Sequence, residues 1–297
     1  MNITLKQLSV FVTTARLNRI TQAANELCLT QSAASQSLKE LESVLGYQVF
    51  NRTGRKLLLN DAGRTILPKA INMLELQNQL QQSVMTELAG ELKVAASVTI
   101  GSYVMPKLLA NFVQKYPKVE PKLYISNSAE VIDRLATGQA HIGLIEAPMS
   151  HNELIISPWR RDELAVFCAA DHQLANKPLV TITEMSQQRW ILREQGSGTR
   201  AVFVGAMQQQ GGVIDHSMDL SRQEAIKQAV KANLGLGVLS FLSIEQELSL
   251  GLFKKLHTPL NLNRQFSIVQ SAHYQQNKLV VTFKDFLHQV DGIKSPL

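Results

Sequence analysis

The sequence predicts an α/β protein fronted by a small, helix-dominated amino-terminal domain and a long connecting helix. Three observations carry that prediction. Up to about residue 88, apolar residues recur at three- and four-residue spacings, and strand-like runs are confined to one stretch near residue 50. From Leu92 onward, short strand-like runs alternate with helical ones, the pattern of a mostly parallel sheet with helices over its faces. Lys and Arg outnumber Asp and Glu by nine to four in residues 1–69, but only by 21 to 20 in the remaining 228. The 297 residues, 45% of them hydrophobic, suffice for two or three domains with separate cores. The net charge of +6 favours an anionic partner, and its uneven distribution says which quarter of the chain meets that partner.

Leu5, Leu8, Phe11, Val12 and Ala15 mark a first amphipathic helix over about Leu5–Leu17. Thr21–Leu27 reads as a short second helix capped by Thr21, and Cys28-Leu29-Thr30 as a tight turn. Ala34, Leu38, Leu41 and Leu45 then form the apolar stripe of a third helix, Gln31–Leu45, which Thr30 caps and Gly46 stops. Two helices joined by so short a turn form a helix-turn-helix. The outer face of the third helix carries Gln31, Ser32, Ser35, Gln36 and Lys39. Such short hydroxyls and carboxamides hydrogen-bond base edges and let a backbone approach a major groove. A helix that only has to stay dissolved more often alternates Glu and Lys. Two short strands around Thr53-Gly54 form a hairpin, or wing, whose Arg52, Arg55 and Lys56 are placed to reach phosphate or the minor groove.

Asn60 or Asp61 starts a fourth helix that runs to about Glu87. Its stripe, Ile66, Ala70, Met73, Leu80, Val84 and Leu88, cannot be buried on the helix itself. The same helix of a second subunit is the most economical cover. After Ala89-Gly90 the expected strands are Leu92–Ser97, Lys122–Ser126, His141–Ile145, Leu164–Ala169, Trp190–Leu192, Met218–Leu220, Gly237–Phe241 and Phe266–Gln270. Helices are expected at Met105–Tyr116, Glu130–Thr137, from near Thr199, at Arg222–Lys231 and at Leu279–Val290.

Several function classes are disfavoured. Cys28 and Cys168 show neither metal spacing nor a CxxC pattern, and both read as small buried hydrophobes. His141, His172 and His257 lack metal-like spacing, so no metal and no cofactor is expected. No basic segment followed by an apolar run opens the chain, and no apolar stretch approaches ~20 residues. A cytoplasmic protein without a membrane partner is expected, rather than an external solute receptor.

Ala23-Ala24, Leu27, Thr30-Gln-Ser-Ala33, Ser35, Leu41-Glu42, Leu45-Gly46, Val49-Phe50, Arg52 and Ala62-Gly63 together resemble the winged helix-turn-helix of LysR-type transcriptional regulators. The resemblance extends over essentially the whole chain. It implies a DNA-binding domain at 1–60, a linker or dimerisation helix at 61–89, and a two-lobed, periplasmic-binding-protein-like effector domain at 90–297. Lobe I would take about 90–161 and 267–297, and lobe II about 162–266. It also implies a transcriptional regulator that is a homodimer or homotetramer, binds double-stranded DNA, meets RNA polymerase and answers to a small molecule between the lobes. Ser97–Gly101, Gly143–Pro148 and Arg193–Arg200 look more like the branch answering to sulfur oxyanions or carbon-fixation metabolites than the aromatic-acid sensors. Base contacts carry over to Gln31, Ser32, Ser35 and Gln36. Gln36 stands where many members have Arg, so it keeps pairing with adenine but loses the charge and the preference for guanine.

Two loops invite an anionic effector. Ser97 and Thr99 follow the first strand of the α/β region, at the carboxyl edge where open parallel sheets place ligands. Gln195, Gly196, Ser197, Gly198 and Thr199 form a second strand-to-helix turn with free backbone N–H groups. From the residues alone, a tight turn with capping hydroxyls explains each loop equally well. The resemblance places effector contacts at both, and adds Asn127 and Ser128. Arg200 faces ligand or solvent. Glu146 repels an anion unless it points away, pairs with a cation or meets a protonated ligand group. The competing reading is an enzyme acting on a small phosphorylated or acidic substrate through the 195–199 loop. That loop lacks both the Gly-x-Ser-x-Gly elbow and the Gly-Lys-Ser/Thr ending of a phosphate loop, so no catalytic residue is assigned. A nucleoid-type, sequence-blind DNA binder leaves the large second domain unexplained.

Overall fold

The computed structural model describes residues 2–54, 56–82, 87–146, 149, 154–271, 274 and 277–292. It begins with three helices, α1 (Leu5–Leu17), α2 (Ile20–Glu26) and α3 (Gln31–Leu45). Thr4 and Gln7 form a capping box at α1. Thr30 Oγ1 accepts from the Ala33 N–H at 3.2 Å at the start of α3, and Gly46, at φ +80°, ends that helix in the left-handed turn only glycine adopts freely. Two expectations fail here. Thr21 is not a cap: α2 starts at Ile20 behind Arg19, whose side chain makes no capping bond. Asn18 already caps the end of α1 at φ +55°, so only Asn18 and Arg19 separate the two helices. Cys28 is exposed, not buried, because it sits at φ +54° in the turn after α2.

Strands β1 (Phe50–Thr53) and β2 (Lys56–Leu59) pair antiparallel, with Thr53 opposite Lys56, as the wing. Asn60 Oδ1 accepts from the Gly63 N–H at 2.8 Å and so caps α4 (Asp61–Gln82). The apolar surface of α4 is divided. Leu67, Ala70 and Ile71 pack with Phe11, Leu41 and Val49 in the amino-terminal core, so the first half is covered within the chain. Met73, Leu76 and Leu80, one turn on, stay 48%, 48% and 74% exposed. Arg55, Val84, Ala147 and Pro148, which the sequence singled out, lie outside the described residues.

A sheet built from nine strands follows among the described residues. In chain order follow β3 (Gly90–Ser97), a π-helical turn (Ile100–Val104), α5 (Met105–Lys115), β4 (Val119–Ser126), α6 (Ser128–Ala136) and β5 (Ile142–Ile145). Then come β6 (Leu154–Ala169), α7 (Ile182–Ser186), β7 (Trp190–Leu192), α8 (Gly198–Gln209), β8 (Ser217–Asp219), α9 (Gln223–Lys231) and β9 (Leu236–Ser240). α10 (Phe241–Ser249), β10 (Phe253–Lys255), β11 (Asn263–Ser271) and α11 (Lys278–Gly292) complete the chain. The strand order is β4-β3-β5-β11-β6-β9-β7-β8, with β10 also on β6. β3, β4 and β5 run parallel, as do β7, β8 and β9, whereas β11 and β6 are antiparallel to each other and to their neighbours. β6 thus belongs to both halves, beginning ten residues before the expected Leu164, and β11 joins them beside it. Each half has a core on either face. Leu92, Val94 and Ala96 pack under α5 and α11 while Ala95 faces α6. Leu164, Val166 and the buried Cys168 alternate in the same way with Ala165 and Phe167. No helix among the described residues is long and apolar enough to cross a membrane.

Candidate functional site

Two regions carry the predicted residues. On the amino-terminal domain, Gln31, Ser35 and Lys39 line one side of a groove of about 170 Å³, with Arg52 and Lys56 of the wing on the other. Burying Ala34, Leu38 and Leu41 turns these side chains outward. Gln31 Nε2 donates to Ser35 Oγ at 3.4 Å, so an amide and a hydroxyl lie side by side one turn apart, the arrangement that matches a base edge. Ser32 is exposed at the tip of α3. Gln36 faces another way: its amide donates to Glu40 Oε1 at 3.0 Å, and Glu40 Oε2 accepts from Gln7 Nε2 at 3.1 Å. A base contact by Gln36 requires it to leave Glu40.

The second region lies where the two halves of the sheet meet. β3, β4 and β7 deliver Ser97, Asn127 and Arg193 at their carboxyl ends. Asn127 caps α6 by accepting from the Glu130 N–H at 3.0 Å, and its Nδ2 donates to Glu194 Oε1 at 3.4 Å across the gap. The Ala129 N–H donates to the Gly196 carbonyl at 3.3 Å, so the two loops singled out in sequence touch. Gly196 sits at φ +83°, and a Cβ there would come within 3.2 Å of Ala129 Cβ. Beside this loop a cavity of about 400 Å³ is lined by Gln195, Gly196, Ser197, Arg200, Ala201 and Val204, among others. Arg200 itself pairs with Asp219 and donates to the Arg193 carbonyl at 2.8 Å. Gly198 is the first residue of α8, behind Ser197 as N-cap.

Buried between the two halves, where a cleft for a ligand would have its floor, are residues that no local motif marked. Arg264 and Asp162 are direct partners across the β11–β6 ladder. Arg264 Nε donates to Asp162 Oδ2 at 2.6 Å, Nη1 to Thr199 Oγ1 at 3.0 Å and Nη2 to Thr99 Oγ1 at 3.4 Å. Its Nη2 also lies 3.1 Å from Glu146 Oε2. Gln223 Nε2 donates to the same Thr99 oxygen at 3.0 Å, and Thr199 Oγ1 donates to Glu146 Oε1 at 3.3 Å. Glu146 therefore pairs with a cation, one of the alternatives the sequence left open. Burial pushes the Asp162 carboxyl above its ordinary value, and the Arg264 charge and the Ser240 hydroxyl oppose that shift. Around this cluster, Ser97, Ser128 and Ser197 are 0%, 0% and 3% exposed, and none of their hydroxyls has a hydrogen-bond partner among the described residues. Arg193 Nη1 is also unused, although its Nε and Nη2 hold Glu194 at 2.8 and 2.9 Å. Among the described residues, no three His, Cys, Asp or Glu side chains are placed to hold a metal.

Comparison with known proteins agrees with this division. Residues 5–64 match the model of the bacterial regulatory helix-turn-helix protein, lysR family, and residues 86–292 match the LysR substrate binding domain. The chain is 36% identical over 296 residues, all of both proteins, to the uncharacterized HTH-type transcriptional regulator YeiE of Escherichia coli. It is 32% identical to the HTH-type transcriptional activator CmpR of Synechocystis, covering 98% of this chain and 96% of that one. A full-length cysteine variant of OxyR from Pseudomonas aeruginosa superposes with a TM-score of 0.80 over 97% of this chain and 95% of that one, at 23% identity. The regulatory domain of Synechocystis CcmR, solved in complex with 2-PG, covers 68% of this chain and 97% of that domain, with a TM-score of 0.63 at 28% identity. Both parts of the chain thus match the two modules of one family in the same order, and the protein belongs to the LysR family of transcriptional regulators.

Proposed function

We propose that this regulator reads a DNA site with Gln31, Ser32 and Ser35 of α3, anchors on phosphate through Lys39, Arg52, Arg55 and Lys56, and is tuned by a small anion held in the cleft. Gln36 joins the reading face only where a base draws it from Glu40. The anion is held by Ser97, Thr99, Asn127, Ser128 and the Gln195–Thr199 turn. The observation that carries the effector reading is the set of buried, unpaired polar atoms around that cleft: three serine hydroxyls, Arg193 Nη1 and Glu146 Oε2. Each costs ~1–3 kcal/mol when left unmet, so their clustering marks a place completed by something from outside the chain. The CcmR domain solved with 2-PG supports a small ligand of this kind. An enzyme acting through Ser197 is disfavoured, because no base reaches its hydroxyl to activate it.

The division into 1–60, 61–89 and 90–297 serves this function: one part reads, one pairs subunits, one senses. Met73 and Leu76 on the exposed side of α4 support self-association into a dimer or tetramer. RNA polymerase is the proposed protein partner, and the cytoplasm the proposed compartment. The test is binding to a site selected from random DNA, measured by fluorescence anisotropy. The wild type should prefer that site over random duplex by ~10³ or more. Ser35→Ala should weaken the selected site by about tenfold and leave random duplex unchanged. Equal losses on both would refute base reading.

A further inference from the structure

The cleft floor holds two carboxylates and one guanidinium, and the surplus charge falls on Glu146. Arg264, Asp162 and Glu146 side chains are each 2% exposed. Asp162 is fully engaged, accepting from Arg264 Nε at 2.6 Å and from Ser240 Oγ at 2.8 Å. It neutralises Arg264. Glu146 has much weaker support. Its Oε1 has the Thr199 hydroxyl at 3.3 Å, and its Oε2 faces Arg264 Nη2 at 3.1 Å without hydrogen-bonding geometry, so no donor among the described residues satisfies that oxygen. The nearby unmet groups have the opposite polarity. Ser97, Ser128 and Ser197 have hydroxyls with no partner. Thr99 Oγ1 accepts from Gln223 and Arg264, which leaves its own proton free to donate.

An anion that satisfies those hydroxyls therefore also meets a carboxylate that has to share the Arg264 charge with Asp162. A fully deprotonated oxyanion is repelled there, and Glu146 Oε2 stays without a donor. An oxyanion that keeps one proton offsets that penalty: its O–H donates to Glu146 Oε2 while its other oxygens accept from the hydroxyls. We propose that Glu146 is the specificity residue of this cleft and selects oxyanions carrying an O–H group, such as hydrogenphosphate or a singly protonated phosphomonoester, over sulfate. This rests on the reading of the cleft as an anion site.

The test compares phosphate with sulfate on the full-length protein by calorimetric titration, at mildly alkaline pH and matched ionic strength. Phosphate is then chiefly the hydrogenphosphate dianion, equal to sulfate in charge and tetrahedral shape but carrying one proton. The wild type should favour phosphate by about tenfold or more, since a site built to accept a ligand's O–H rejects the analogue lacking it. Glu146→Gln, whose amide donates instead, should bring the two anions within about threefold or reverse their order. Equal binding of both anions by the wild type overturns the role of Glu146 and leaves the anion site standing. So does a preference that survives in Glu146→Gln. Failure of the wild type to bind either anion overturns both. If the variant does not fold, the wild-type ratio decides alone.

Discussion

Arg264 holds the cleft together because it is the cation that Asp162 and Glu146 share in a region closed to water. Replacing it by Met leaves two buried carboxylates without a counter-charge, and breaking buried pairs in this way costs ~3–5 kcal/mol. Arg264→Met should lose that much in urea unfolding, and adding Asp162→Asn should restore part of it. A loss under ~1 kcal/mol would mean that water reaches the cluster. His141 offers a second test at this scale. Burial, then the nearby Lys93 charge, lowers its pKa from 6.5 to about 4. Its Nδ1 accepts from the Lys93 N–H at 3.3 Å, and its ring lies 4.9 Å from that of Tyr274. A depressed native pKa contributes stability that is present above pH 6.5 and lost as pH falls through about 4. Because His141 is only partly buried, the loss is of the order of 2 kcal/mol. His141→Asn should flatten the stability profile across that window, and an undiminished slope would assign it to other groups.

At the level of elements, the joint between wing and α4 depends on Gly63. A Cβ at that position would stand 2.1 Å from the Val49 carbonyl oxygen and 2.7 Å from Leu59 Cδ2, and the first of these is backbone that cannot rotate away. Gly63→Ala should therefore push α4 off the wing and destabilise the amino-terminal domain by ~1–3 kcal/mol, the range for overpacking. A lowered melting point together with loss of selected-site binding is the expected readout. An unchanged melting point would show that the joint is loose. The same scale shows which elements periodicity reveals. α1, α3 and α9 have apolar stripes or caps, and their predicted ends fall within a residue of the observed ones. α7 and β10 were not anticipated, because five and three residues carry too little period and draw their stability from tertiary packing. Nor was α10, because it starts on Phe241, which reads as the end of the strand before it. The first ten residues of β6 went unread because seven of them form the run Ser157-Pro-Trp-Arg-Arg-Asp-Glu163, whose polarity reads as loop until β11 supplies the hydrogen bonds.

Across the whole molecule, α4 is the element that each part must share. Its first half sits in the amino-terminal core, and Glu75 in its second half accepts from Asn277 Nδ2 next to α11. The exposed Met73 lies between these two attachments in sequence, and the exposed Leu76 directly follows the second. Leu76→Glu should halve the mass seen by sedimentation velocity and weaken site binding through lost avidity, with the fold intact by circular dichroism. An unaltered mass would move the subunit interface off this helix.

The amino-acid sequence by itself determined the order of modules, the recognition helix and the two loops that border the cleft, because each rests on local spacing: apolar stripes, caps and strand-to-helix turns. Only the tertiary structure decided which charges meet. Glu146, Asp162 and Arg264 are separated by up to 118 residues, and they come together because β11 pairs with β6 where the two halves of the sheet join. It also decided that α4 splits its apolar surface, since that outcome depends on the burial each side chain finds in three dimensions and not on its neighbours in the chain.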